Sequence, residues 1–134
     1  LATVSVSHGK LQCQIGKESE QRMLNVYEEK TGRSITQRNA TLYEMTIGEF
    51  RITGKVDGIV EQEGIVIEHK RRIRGLLNRV PYHELVQCFL YMKMTGLHTT
   101  HLVETFGMCM KIHEIHMCVD KWKQMENLIL VSIQ

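Results

Sequence analysis

Residues 54–70 read GKVDGIVEQEGIVIEHK, and the fold turns on how this stretch pairs with itself. Two runs rich in Ile and Val, residues 55–60 and 65–69, flank the polar turn Glu61-Gln62-Glu63-Gly64. A turn ending in glycine between β-branched runs predicts a β-hairpin, since glycine tolerates positive φ and branched side chains favour extended backbone. Side chains alternate between faces along a strand. Glu68 and Lys70 therefore share one face, and Ile65, Ile67 and His69 the other. A loop centred on Gln62-Glu63 pairs Val60 with Ile65 and sets Asp57 opposite Glu68, with Cβ atoms about 5 Å apart. Carboxylates that close repel unless a cation lies between them or one keeps its proton. Two readings follow. Asp57 and Glu68 are surface charges that pair with Lys70 or Arg71, a common and weak arrangement. Alternatively, with Lys70 beside them, they form an oxygen-rich site for a hard divalent ion that keeps waters for chemistry. A bulge at Gly64 instead shifts the register and separates the carboxylates.

The chain around this hairpin has 134 residues, 43% hydrophobic and 24% charged, which suits one domain with one core. No apolar run approaches the roughly 18 residues of a membrane span, and the N-terminus resembles neither a signal nor a transit peptide. An intracellular protein is expected. The formal net charge of +2 is too small to name a partner, but its distribution is informative. The densest basic run, Lys70-Arg71-Arg72-Ile73-Arg74, follows the hairpin directly. It is either a solvated loop or a phosphate-binding one. Cys13, Cys88, Cys109 and Cys118 are widely spaced without a C-x-x-C pair, which suits free or buried thiols in a reducing compartment better than disulfides or a metal cluster. His113 and His116 lie three apart and face opposite ways on a strand, so a surface or core role is expected of both. His8 reads as an ordinary residue of an N-terminal arm.

Taken in order, residues 1–15 are weakly patterned, and Val4, Val6 and Leu11 suit an edge strand or a docked arm. A helix is expected from Gly16, capped by Ser19 and ended by Gly32. Met23, Leu24 and Tyr27 form its apolar stripe, and Glu20 falls on the same stripe. Glu20 either complements the helix dipole or meets something positive in the interior. Residues 34–45 read as a strand, and residues 50–53 lead into the hairpin, giving a meander of about three antiparallel strands. Pro81 fits the first position of a second helix over residues 82–95, with Gly96 ending it. There, Leu85, Phe89 and Met92 make a core stripe. His83, Gln87 and Tyr91, at i, i+4 and i+8, make a second stripe that is either a solvated edge or a set of neutral hydrogen-bonding groups. Residues 99–106 and 111–119 read as strands. Asp120 suits the cap of a last helix with Trp122, Met125, Leu128 and Ile129 inward.

Four short motifs lie in order on these elements: GKESE (16–20), VDG (56–58), IEHK (67–70) and QCFLY (87–91). Together they resemble the PD-(D/E)XK nuclease superfamily, most closely its lambda-type and YqaJ-like viral recombinase exonucleases, related to the RecB nuclease domain. The resemblance runs from about residue 16 to near the end. It implies an α/β (α+β) fold with a restriction-endonuclease-like core, a central mixed sheet flanked by helices in the order α-β-β-β-α-β-β-α. Residues 1–134 are then a single nuclease domain, with 1–15 as the arm or edge strand. The resemblance further implies that Asp57 and Glu68 ligate Mg²⁺ or Mn²⁺ with the backbone carbonyl of His69, and that Glu20 completes or supports the site. Lys70 would orient and help deprotonate the attacking water or stabilise phosphoryl charge. Gln87 would hold Lys70 or the nucleophile, and Tyr91 would support it or touch nucleic acid. Arg71, Arg72, Arg74 and Arg79 are placed to hold DNA phosphates. Val56 stands where the family usually has proline, and His69 fills the middle of the E-x-K motif; neither removes a side-chain ligand. The clustered cysteines of iron–sulfur members are lacking, so no such cluster is expected. The expected activity is Mg²⁺-dependent DNA hydrolysis, as an exonuclease on duplex ends in recombination or repair. Lambda-type relatives form rings around DNA, which implies a homo-oligomer, although this chain is shorter. Alternatives are an endonuclease or single-strand nuclease of the same fold, RNA as substrate, or a nucleic-acid-binding scaffold without catalysis.

Overall fold

The computed structural model describes residues 2–6 and 14–132, in the order β1 (Ala2–Ser5), α1 (Gln14–Thr31), β2 (Leu42–Ile47), β3 (Phe50–Lys55), β4 (Gly58–Val60), β5 (Ile65–Arg71), α2 (Tyr82–Thr95), β6 (Thr99–Phe106), β7 (Cys109–His116) and α3 (Val119–Ser132). The strands form two sheets. Both are mixed; one has three strands in the order β1-β3-β2, and the other has four in the order β4-β5-β6-β7. The pairs β4–β5 and β6–β7 are antiparallel, whereas β5 and β6 are parallel. Parallel neighbours need a crossover, and α2 supplies it.

The central hairpin has the expected register, Val60 with Ile65 and Gly58 with Ile67. Gly64 takes φ 70°, and its N–H closes the turn onto the carbonyl of Val60 at 2.9 Å. The expected single strand over residues 55–60 is instead broken. β3 ends at Lys55 in the three-stranded sheet and β4 starts at Gly58 in the other. The chain changes sheets at Val56 and Asp57, so the expected three-stranded meander is two hairpins in different sheets. Residues 34–41 are mostly irregular, with one bridge from Gln37 to Ile59. They are held on α1 by Arg38, which bonds Glu28 at 2.7 Å and Asn25 at 2.8 Å.

The arm resolves as an edge strand, β1, parallel to β3. Leu11, His8 and Cys13 lie outside the described residues. Helix α1 begins earlier than expected and Ser19 falls inside it, while Gly32 at φ 72° ends it as expected. Pro81, at φ −57° and ψ 147°, sits just before α2 rather than in its first turn. Gly96, at φ 75°, stops α2 by donating its N–H to the carbonyl of Met92 at 2.9 Å, a left-handed cap that glycine adopts without strain. Asp120 lies in the first turn of α3, after Val119.

Met23, Leu24 and Tyr27 of α1 pack on Ile65, Ile67 and Val103, one face of the four-stranded sheet. Phe89, Leu90 and Met92 of α2 pack with Leu102, Ile47, Ile52, Trp122 and Met125 on the other side. A smaller cluster of Val56, Ile59, Val66 and Tyr91 fills the place where the chain changes sheets. Cys88 is a buried free thiol, and Cys109 and Cys118 are exposed free thiols. Among the described residues no helix is long and apolar enough to cross a membrane.

Candidate active site

The sheet change leaves Asp57 as the last residue before β4, beyond the final ladder pair of Gly58 with Ile67. Its side chain takes the place of the missing strand partner: Asp57 Oδ2 accepts the backbone N–H of His69 at 2.7 Å. This bond aims the carboxylate at β5, beside Glu68. Gly58 is required by the same turn. A Cβ there meets Ile35 Cγ2 at 2.8 Å and the carbonyl of Gln37 at 3.3 Å.

Asp57 is the middle member of a line of three carboxyl groups, in hydrogen-bonding contact with Glu20 from α1 and Glu68 from β5. Burial, then the charge of Asp57, push the Glu20 carboxyl up to about 8. Burial, then the charge of Glu68, lift Asp57 well above the usual carboxylate range. Glu68 is also raised by burial, against the pull of Asp57 and of the Lys70 ammonium. Each of the three acids is biased toward its protonated form. Protons thus stand in for positive charge at a point where three acids converge.

Lys70 is the only lysine whose ammonium reaches this line among the described ion pairs, with Nζ 4.0 Å from Glu68 Oε2. The ammonium donates to Gln87 Oε1 at 2.6 Å. The Gln87 amide donates in turn to the carbonyl of Val6 at 3.1 Å. Helix α2 and the residue that follows strand β1 thereby fix the direction of Lys70. The His69 side chain points away. Its Nε2 lies 2.7 Å from Thr105 Oγ1, and burial, then the nearby Lys70, Arg71 and Arg72 charges, lower it to about 4. The imidazole is therefore neutral at ordinary pH and is no candidate acid.

The donor set suits a hard divalent ion. The carboxyl oxygens are closely spaced, short of positive charge and partly desolvated. Among the described residues no three His, Cys, Asp or Glu side chains form a ready-made cage. Mg²⁺ does not require one, because it binds through one or two carboxylates and retains several waters.

Two expected residues sit elsewhere. Tyr91 is 1% exposed within the Val56, Ile59 and Val66 cluster, so its expected contact with nucleic acid is withdrawn. It is a core residue below the site. Arg72 is also not a free cation. Its two Nη atoms donate to Glu84 at 2.6 and 2.7 Å, and its Nε to Glu104 Oε1 at 2.7 Å. Arg71, at the end of β5, and Arg74 and Arg79, in the following loop, are exposed. His83 is exposed, and His113 Nε2 donates to Glu104 Oε2 at 2.5 Å.

Sequence reasoning passed over Glu84, Glu104 and the Val6 carbonyl. Glu104 left a signal, since it shares the buried α2-facing side of β6 with Leu102 and is 0% exposed. A carboxylate at a core position of a strand demands partners. Burial opposes its ionisation, but the bonds from His113, Arg72 and the Leu77 N–H hold it below the usual carboxylate range. Against the same opposition, the Arg72 fork holds Glu84 low.

No family model matches the chain, and no curated protein matches it. Solved structures do. The alkaline exonuclease LHK-Exo of Laribacter hongkongensis, in its complex with dAMP, matches with a TM-score of 0.66 at 17% identity, over 92% of this chain and 70% of that one. A phage-related exonuclease from Haemophilus somnus matches with a TM-score of 0.61 at 14% identity, over 90% and 73%. The SSO0001 protein matches with a TM-score of 0.65 at 21% identity, over 89% of this chain but only 57% of its own length. The mixed α+β architecture expected from the motifs is the one observed, and the chain shares the fold of phage-related and alkaline exonucleases.

Proposed function

We propose that this chain is a divalent-metal-dependent nuclease that hydrolyses DNA phosphodiester bonds, acting on duplex ends as an exonuclease in recombination or repair. The observation that carries this reading is the juxtaposition of Asp57, Glu68 and Glu20 with the Lys70 ammonium, held by Gln87, on a fold shared with exonucleases. Asp57 and Glu68, with the His69 carbonyl, would hold Mg²⁺ or Mn²⁺, and Glu20 would complete the site or support it. A divalent ion there supplies Lewis acidity toward a phosphoryl oxygen and makes a bound water more acidic.

The chain's own residues do the rest. Hydrolysis forms a bond from water oxygen to phosphorus and breaks one P–O ester bond, and the leaving oxygen takes a proton. Lys70 carries three N–H donors. Gln87 takes one, leaving two for the attacking water and a phosphoryl oxygen. Its ammonium stabilises the negative charge that grows on the phosphoryl group. Arg71, Arg74 and Arg79 would hold backbone phosphates of the DNA without reading its sequence.

A digestion assay tests the reading. Linear duplex, covalently closed duplex, single-stranded DNA and RNA are incubated with Mg²⁺, Mn²⁺ or EDTA. The expected result is metal-dependent loss of linear duplex with closed circles spared. Lys70→Ala and Asp57→Ala should each lower the rate on the order of 10²–10³-fold or more. Cutting of closed circles would make the chain an endonuclease. The second reading is a DNA-binding scaffold without catalysis. No digestion with DNA still bound and no Mn²⁺ affinity would establish that reading.

A further inference from the structure

Residues 72–81 form an irregular segment between β5 and α2. It carries Arg74 and Arg79, follows Arg71, and exposes Ile73 almost completely, at 91%. Such a loop would ordinarily be tied only at its ends. Here its middle is held on both sides. The Leu77 N–H donates to Glu104 Oε1 at 3.1 Å, and the Leu77 carbonyl accepts from Lys111 Nζ at 2.9 Å. Its first residue, Arg72, also donates to Glu104 and grips Glu84 in the first turn of α2. His113 of β7 fixes the second oxygen of Glu104. Glu104 is the register partner of Lys70 on the parallel ladder, so this anchor stands one strand over from the candidate site.

A purely structural account is weak on energetic grounds. Buried ion pairs add little stability relative to well-packed apolar residues, because both charges lose their hydration. The geometry that this network fixes is that of the basic loop. We propose that Glu104 is a positioning residue for DNA binding: by clamping Leu77 and Arg72 it holds Arg71, Arg74 and Arg79 where they contact the phosphates of DNA at the site. The proposal rests on the nuclease reading above.

The test measures binding of a short labelled linear duplex with Ca²⁺ present, in the Lys70→Ala background to prevent cleavage, across a range of salt concentrations. Arg74→Ala should weaken binding and lower the salt slope by about one contact. Glu104→Gln, with folding checked by thermal melting, should weaken binding roughly tenfold and lower the slope by about two. In the Glu104→Gln background, Arg74→Ala should then have little further effect, because the arginine is no longer held in place. Lys111→Met releases the Leu77 carbonyl without unpairing the buried carboxylate. If Glu104→Gln does not fold, the loss of the Arg74→Ala effect in Lys111→Met carries the same conclusion. A folded Glu104→Gln that binds like its parent, with the full Arg74→Ala effect retained, overturns the positioning role while leaving the nuclease reading intact, and where Glu104→Gln does not fold the same result in Lys111→Met does so. A parent that binds no DNA overturns the nuclease reading, and the positioning role with it.

Discussion

Lys70 shows how a flexible side chain is given one direction. Its ammonium bonds Gln87, and Gln87 is fixed by a main-chain carbonyl. Gln87→Ala should therefore lower kcat about 10–100-fold while Mn²⁺ affinity, measured by titration, stays near that of the parent. A matching loss of Mn²⁺ affinity would instead place Gln87 in support of the ion. Glu20 makes a pH prediction. Its carboxyl moves from an ordinary 4.5 to about 8 on folding, so the folded chain binds this proton more tightly than the unfolded chain. Stability then falls as pH rises, starting near 4.5 and reaching its full loss above about 8. Metal-free protein should show a melting temperature that declines across this window. Glu20→Gln should shrink the decline, and Mn²⁺ at the upper end should reverse it. A melting temperature that ignores both changes would show that the three acids do not hold protons as described.

At the scale of elements, the turn into β4 is the tightest point near the site. Gly58→Ala sets a Cβ 2.8 Å from Ile35 and 3.3 Å from a backbone oxygen, and backbone yields less readily than a side-chain tip. We expect it to cost about 1–3 kcal/mol by urea denaturation and to disturb Asp57 next to it. This turn also marks the limit of what the sequence made legible. The register of Val60 with Ile65 could be read, because alternation and Gly64 leave few other pairings. Helix α2 could be read too, from its apolar stripe and Gly96. The break at Val56 and Asp57 could not, since a strand that changes sheets keeps the same alternating pattern as one that does not. Motif order brought Asp57, Glu68, Lys70 and Gln87 into view. The partners of Arg72 stayed hidden because Glu104 lies 32 residues away, and no local pattern encodes that meeting. Tyr91 misled for a related reason: a polar stripe on a helix looks the same whether water or core lies beyond it.

On the scale of the whole molecule, α3 is joined to the rest mainly through Trp122 and Met125, which are 6% and 2% exposed in the core shared with α2. Lys93 of α2 lies 5.7 Å from the centre of the Trp122 ring. Trp122→Ala should destabilise the chain by about 3–5 kcal/mol, read from chemical denaturation, while the folded fraction keeps the affinity of the carboxylate line for Mn²⁺. The two ends of the support for Lys70 are far apart in the chain, since Val6 and Gln87 are separated by 81 positions. Val6 is in turn seated by its own N–H on the carbonyl of Thr53 at 2.6 Å. Every residue type has a carbonyl, so nothing about the identity of residue 6 is needed for this task. The Val6 side chain packs against the core beside α2, so what constrains the letter at position 6 is that packing and not the bond to Gln87. A part of the machinery is thus inherited as a path through space and leaves no letter behind by which a comparison of sequences would find it.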